Sequence, residues 1–244
     1  MSDFIERVAM QGVYNWTWHY KFGATKVLQS TATNEAIWQS GGDYTGFPAE
    51  TETLSIVSAS ASDTAKTLTI QGLDANFDSI EETVTLTGQT PVLTTKAFHR
   101  APRAFISSGA VNVGDITINH STTTANVFAV LPATYGQSQV CAFTVPNNCN
   151  CLIKGLDFRL SRTSGAAGSA LLSFRVRQFG ESFFRARSIG TITNNSAGGG
   201  VKYAGGILLP EKTDIKVIIE EISDNATYFT GEIEYLLLYN GQTD

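Results

Sequence analysis

Polar and apolar residues alternate along most of this chain. Lys66-Thr67-Leu68-Thr69-Ile70, Glu82-Thr83-Val84-Thr85-Leu86 and Asp115-Ile116-Thr117-Ile118-Asn119 change character at every step. Successive side chains of an extended strand point to opposite faces, so such runs place one face on a core and the other in water. Between them lie turn-forming stretches, Gly72-Leu73-Asp74-Ala75-Asn76, Gly88-Gln89-Thr90-Pro91 and Asn112-Val113-Gly114-Asp115. Helical spacing occurs only near the start, where Ser2, Phe4, Ile5 and Val8 suit one short helix as well as a strand. Short strands divided by regular turns predict an all-β protein of sandwiches or barrels.

The pattern divides in two. Residues 1–120 are predicted to form an N-terminal β domain, sandwich- or barrel-like, and the small polar residues 121–125 a linker. Residues 126–244 are predicted to form a second domain with strands at Val127–Leu131, Gln139–Thr144, Cys151–Leu160, Ala170–Gln178, Ser182–Ile189, Val201–Leu208, Asp214–Ile222 and Tyr228–Tyr239. Eight strands are the count of a jelly-roll β-sandwich. Two late strands are apolar beyond alternation: Ile215, Val217, Ile218 and Ile219 in one, Tyr235-Leu236-Leu237-Leu238-Tyr239 in the other. A strand apolar on both faces is buried on both. The expected cover is another subunit or the first domain, with a bulge or a ragged end strand as the plainer reading.

Composition narrows the classes. Hydrophobic residues make up 42% of the 244, enough for a core and too many for a disordered chain. Charged residues are only 16%, against roughly 25% in ordinary soluble domains, which leaves less strongly solvated surface. The net charge of −5 argues against a general nucleic-acid binder, and it is uneven: 12 acidic and 7 basic residues through His120, ten of each afterwards. No apolar run approaches the ~20 residues that span a bilayer. No secretory leader is recognised, and three cysteines suggest no disulfide framework, so synthesis in a reducing cytoplasm is expected.

Candidate chemistry is sparse. Cys149 and Cys151 share a strand face, with Cys141 on a neighbouring segment and His120 remote; a structural zinc site wants four ligands in two pairs, and buried thiols are the simpler reading. No nucleophile elbow or zinc-protease helix occurs, and Glu81-Glu82 and Glu220-Glu221 are sequence neighbours whose side chains diverge on a strand. The glycine-rich segment 194–200 lacks the Lys-Ser/Thr ending of a phosphate loop. No catalytic residue, cofactor or metal is assigned.

Two patterns remain. Phe174-Arg175-Val176-Arg177 and Phe184-Arg185-Ala186-Arg187 flank a turn; a hairpin about Gly180 predicts Arg175 opposite Arg185, with all four guanidinium groups on one face. Like charges opposed across strands destabilise a sheet, so acidic company is expected, either from a partner or from Glu220, Glu221, Glu232 and Glu234. Tyr14, Trp16, Trp18, Tyr20 and Phe22 are all even-numbered, an aromatic stripe for a core or for a docking surface. The interface candidates are Trp16, Trp18, Tyr20, Arg175, Arg177, Arg185, Arg187, Tyr235, Leu237 and Tyr239.

One resemblance covers most of the chain. Ile37-Trp38-Gln39-Ser40-Gly41-Gly42-Asp43-Tyr44-Thr45-Gly46-Phe47-Pro48, Ser60–Ala65, Thr69–Phe77 and Glu82–Gly88 resemble the early block of virion structural proteins of tailed bacteriophages, especially marine and cyanobacterial ones. Phe143-Thr144-Val145-Pro146, Arg175-Val176-Arg177 and Leu209–Ile215 are similar to the C-terminal β domain of the same proteins. The resemblance implies a particle component without enzymatic activity, located in the virion and bound to other virion proteins. Head decoration is the first expectation and a tail- or fibre-associated position the second; a host-surface glycan-binding module is the rival. The doubly apolar strands and low charge content predict a homo-oligomer, which the resemblance makes a trimer; neither nucleic acid nor membrane is an expected partner. Cys149-Asn150-Cys151 departs from the Gly/Lys turn expected there.

Overall fold

A computed structural model describes residues 16–162, 168–193, 199–225 and 227–239, and among them all regular structure is β. The all-β expectation is met. The candidate helix near Ser2 and the aromatic Tyr14 lie outside the described residues.

The chain forms two compact units. Unit one draws on Met1–Phe22, Val27–Asn34 and Cys141–Asp244, and unit two on Gly23–Lys26 and Glu35–Val140. Unit two therefore interrupts unit one after its first strand.

In unit two a short β2 (Glu35–Ala36) precedes β3 (Glu52–Ser58), β4 (Thr64–Leu73), β5 (Ser79–Thr87), β6 (Val92–Phe98), β7 (Arg100–Ser108), β8 (Ile116–His120) and β9 (Val127–Leu131). Strands β3 to β9 pair in the orders β6-β3-β8-β9 and β5-β4-β7, all antiparallel. Alternation delivers the core as expected: Leu54, Ile56, Leu68, Ile70, Ile116 and Ile118 are fully buried. The segment 37–48 folds as a buried aromatic turn. Trp38 Nε1 donates to the Gly42 carbonyl (3.0 Å), Tyr44 packs edge-on against Trp38 and Phe47, and Tyr44 Oη donates to the Phe128 carbonyl (2.9 Å). Gly46 is required there, since a Cβ would stand 2.2 Å from Tyr44 Oη. Gln39 holds the detached 23–26 segment by donating to the carbonyls of Ala24 (3.0 Å) and Thr25 (3.3 Å).

Buried charge ties the loops of this unit. Asp63, fully buried, accepts from Ser58 Oγ (2.6 Å), Lys66 Nζ (2.7 Å) and the amides of Val113 (2.8 Å) and Gly114 (3.0 Å). Burial pushes this carboxyl's pKa up, but the bonds from Lys66, Ser58 and the two amides outweigh it and hold it well below the ordinary range.

In unit one β1 (Trp16–Ala24), β10 (Ala142–Thr144), β11 (Cys149–Arg162), β12 (Ser169–Arg177), β13 (Arg185–Thr193), β14 (Gly199–Leu209), β15 (Asp214–Ile222) and β16 (Thr227–Tyr239) form two sheets. The first runs β1-β16-β11-β14 and the second β10-β15-β12-β13. Counted along this unit, first strand lies beside last, second beside seventh, third beside sixth and fourth beside fifth, the order of a long antiparallel ribbon rolled up. The sheets meet through a stacked Phe143–Tyr235 pair, ring centroids 4.3 Å apart, with His19 stacked on Tyr235 at 5.3 Å.

The division differs from the one expected at 120–126. Residues 121–125 turn a hairpin between β8 and β9, whose register pairs Ile116 with Leu131 and Ile118 with Ala129. Glu52 fastens that turn by accepting from the hydroxyls and amides of Thr122 and Thr123. Small polar residues suit a linker and a capped turn equally, so composition alone misleads here. The first strand, β1, belongs with the C-terminal half because its hydrogen-bonding partner is β16.

The doubly apolar strand β15 is buried on both faces as expected, and the cover is intramolecular. Ile215, Val217, Ile218 and Ile219 are all fully buried by this chain's own atoms, so no second subunit is needed to cover them.

Candidate interface

The even-numbered aromatics of β1 face outward. Trp18 (39% exposed), Tyr20 (59%) and Phe22 (39%) stand in solvent, while Trp16 is half-buried. Alternation forces this choice. The odd-numbered His19 stacks on core Tyr235, so the even positions are left on the outer face. The Trp18 and Tyr20 rings are 6.4 Å apart and tilted by 49°.

Inward from this stripe, β16 and β11 present polar residues on the same face. Their register opposes Asp157 to Glu232 and Arg159 to Thr230. A depression of about 330 Å³ opens here, lined by Phe22, Asp157, Arg159, Thr230, Gly231 and Glu232. Beyond it Lys202 of β14 pairs with Glu234 of β16, bridging over Gly155 of the strand between. A Cβ at Gly155 would lie 2.7 Å from Lys202 Cδ, so glycine leaves the crossing open. The Glu234 hydrogen bond raises the Lys202 pKa above its ordinary value against the pull of desolvation.

The four arginines do not share a face as expected. A bulge between Phe174 and Arg175 sets Arg175 against Ala186 and Val176 against Arg185. Arg175 and Arg177 lie together on one face; Arg185 lies with Phe183 on the other, its guanidinium 4.9 Å from that ring and its Nε 3.0 Å from Glu181. Arg187 is exposed. The acidic company is intramolecular for three of them. Arg175 grips both oxygens of Glu220 (2.6 and 2.7 Å), with Ser173 also donating to Glu220, and Arg177 meets Asp214 at 2.6 Å. Burial raises the Glu220 pKa, but the bonds from Ser173 and Arg175 prevail and hold it below its ordinary value. Of the acids named from sequence, Glu220 takes this role.

No family model and no curated protein matches the chain. Among solved structures it is similar to the infectious bursal disease virus VP2 subviral particle, at 8% identity and a TM-score of 0.21, over 98% of this chain and 78% of that one. It is also similar to T=1 particles derived from infectious bursal virus, at 9% identity and a TM-score of 0.14, over 98% and 84%. Scores this low carry no argument about fold or function.

The other sequence candidates are placed as follows. Tyr235 and Leu237 are buried in the core of unit one and present no interface surface, whereas Tyr239 is 40% exposed. The apolar run Tyr235–Tyr239 is continuous in sequence, but its strand is second in its sheet and Tyr235 faces the opposite sheet. Cys141, Cys149 and Cys151 are all buried; burial pushes the Cys141 thiol up to about 12, Cys149 up to about 11 and Cys151 higher still. Such thiols stay protonated at neutral pH. His120 is enclosed in unit two, Nε2 lying 3.3 Å from the Phe98 carbonyl and the ring edge-on to Phe128. Sequence reasoning did not find Asp157, Arg159 and Thr230, and named Glu232 only as acidic company for the arginines. Each sits at an outward position of an alternating strand, and only the β11–β16 register brings them beside Phe22.

Proposed function

We propose that this protein is a structural component of a tailed-bacteriophage virion that decorates the head, adding stability through contact area without turnover. The observation that carries this reading is the exposed Trp18–Tyr20–Phe22 stripe on an edge strand of a unit whose own core is already filled. Large aromatics left on an outer sheet face suit contact with another surface. The rolled strand order of unit one supports reading it as a jelly roll, an architecture used in viral capsids. The motif resemblance supports the phage assignment.

The test is a particle one. Particles lacking the protein should lose integrity under heat or osmotic shock, and purified protein should restore it at high, regular copy number. A few copies per particle would transfer the reading to a tail or fibre position. Particles that stay robust without it but fail to adsorb to cells would favour a receptor-binding role instead.

Self-association as a trimer rests on the low charge content, the motif resemblance and the exposed stripe; β15, covered within the chain, adds nothing to it. Light scattering that shows a monomer at micromolar concentration would remove it.

A further inference from the structure

We infer that the outer face of the β1-β16-β11-β14 sheet carries a binding site for an uncharged, hydroxyl-rich saccharide, seated between the Phe22 ring and the Asp157–Glu232 pair. The depression there, about 330 Å³, lies at the lower end of small-molecule sites and suits one or two sugar rings.

Each lining group answers a feature of a sugar. A pyranose has a C–H-rich face that packs on an aromatic ring and a rim of neighbouring hydroxyls that donate and accept hydrogen bonds. Phe22 supplies the ring. Asp157 and Glu232, directly opposed across two strands, supply acceptors for adjacent hydroxyls; Arg159 supplies donors and Thr230 a hydroxyl able to do either.

The arrangement is poorly explained by stability. Two carboxylates directly opposed on a sheet repel. The Arg159 Nε–Asp157 contact beside them is long, 3.9 Å, with both side chains more than half exposed, where ion pairs contribute little. The acids also select against charge: Asp157, Glu232 and Glu234 would repel a uronate or sulfated chain, and Lys202 is already engaged with Glu234. Tyr20 and Trp18 continue the aromatic row away from Phe22 along β1, at alternate positions about 7 Å apart on a strand. An extended oligosaccharide could therefore occupy further positions on the same row. The Trp18–Tyr20–Phe22 row cannot hold a saccharide and a virion partner at once, so the saccharide test uses the free protein and is read separately from particle stability.

The experiment is isothermal titration of the purified full chain, followed also by tryptophan fluorescence from Trp18. The probes are neutral tetrasaccharides (cellotetraose, laminaritetraose and mannotetraose), with an alginate tetramer as the anionic control. We expect saturable binding of at least one neutral probe at millimolar concentration or tighter, and none of the alginate. Phe22→Ala should weaken that binding by about tenfold, and Glu232→Gln by severalfold, both with unchanged thermal unfolding. Leu93→Ala, on an exposed position of unit two, should leave binding unaltered. The inference is overturned if no neutral probe saturates, if alginate binds equally well, or if a folded Phe22→Ala variant binds as the parent does.

Discussion

In unit two buried Asp63 and Lys66 tie loops together; in unit one Arg175–Glu220 and Arg177–Asp214, with Asp214 itself buried, join neighbouring strands across a sheet. The sequence segments differ accordingly. Those of unit two hold ten acidic and five basic residues and so carry the whole net charge of −5, while those of unit one balance at twelve of each. Unit one instead displays the aromatic row. The contrast teaches that one unit uses charge for its own order, whereas the other keeps its charges neutralised and leaves aromatic surface for contact.

The strongest way to break this comparison is Asp63→Ala. It strands buried Lys66 and two loop amides, and should cost about 3–5 kcal/mol in urea unfolding. A loss below ~1 kcal/mol would show that the buried network is not what orders those loops. Ile218→Ala in unit one should cost about 2–5 kcal/mol, the range for a filled core position. Near-neutrality would mean that the outer side of β15 is open in solution and needs another subunit after all.

A third change sharpens the charge argument through pH. The hydroxyls of Thr122 and Thr123 hold the Glu52 pKa down, from 4.5 to about 2. A folded pKa below the unfolded one means stability fully present above about 4.5 and lost as pH falls toward 2. Parent protein should therefore lose stability across that window more steeply than Glu52→Gln, measured by thermal unfolding at stepped pH. Parallel curves would sink the assignment. The smallest effect is expected at Lys202→Ala. That ion pair is open to solvent on the lysine side, and unfolding should shift by no more than about 0.5 kcal/mol.

The strands themselves were legible because alternation is a backbone property read one residue at a time. Asp214–Ile222 is found as predicted, and Cys151–Leu160 lies within a longer Cys149–Arg162. What could not be read depends on pairing between distant strands. Period two says that Trp18, Tyr20 and Phe22 share a face, not whether that face is inner or outer; the packing of His19 on Tyr235 decides it. The arginine hairpin turns near Gly180, which has a φ of +85°, but the bulge at Phe174/Arg175 leaves no mark in composition and shifts the expected opposition. The candidate site was illegible for the same reason, since its lining comes from three strands that are remote in sequence.

The interruption of unit one by unit two sets an order of events during synthesis. β1 leaves the ribosome before any of unit two, and its neighbour β16 is the last of the described strands to follow. Throughout that interval β1 presents unpaired amides and carbonyls beside its aromatic row, while β3 to β9 of unit two pair among themselves. Contacts this distant close slowly, and an open apolar edge invites association with other nascent chains. The aromatic row that suits the finished protein for contact is thus its main hazard while it is being made. Its yield of folded protein should respond to growth temperature and chaperone supply more than that of unit two expressed alone.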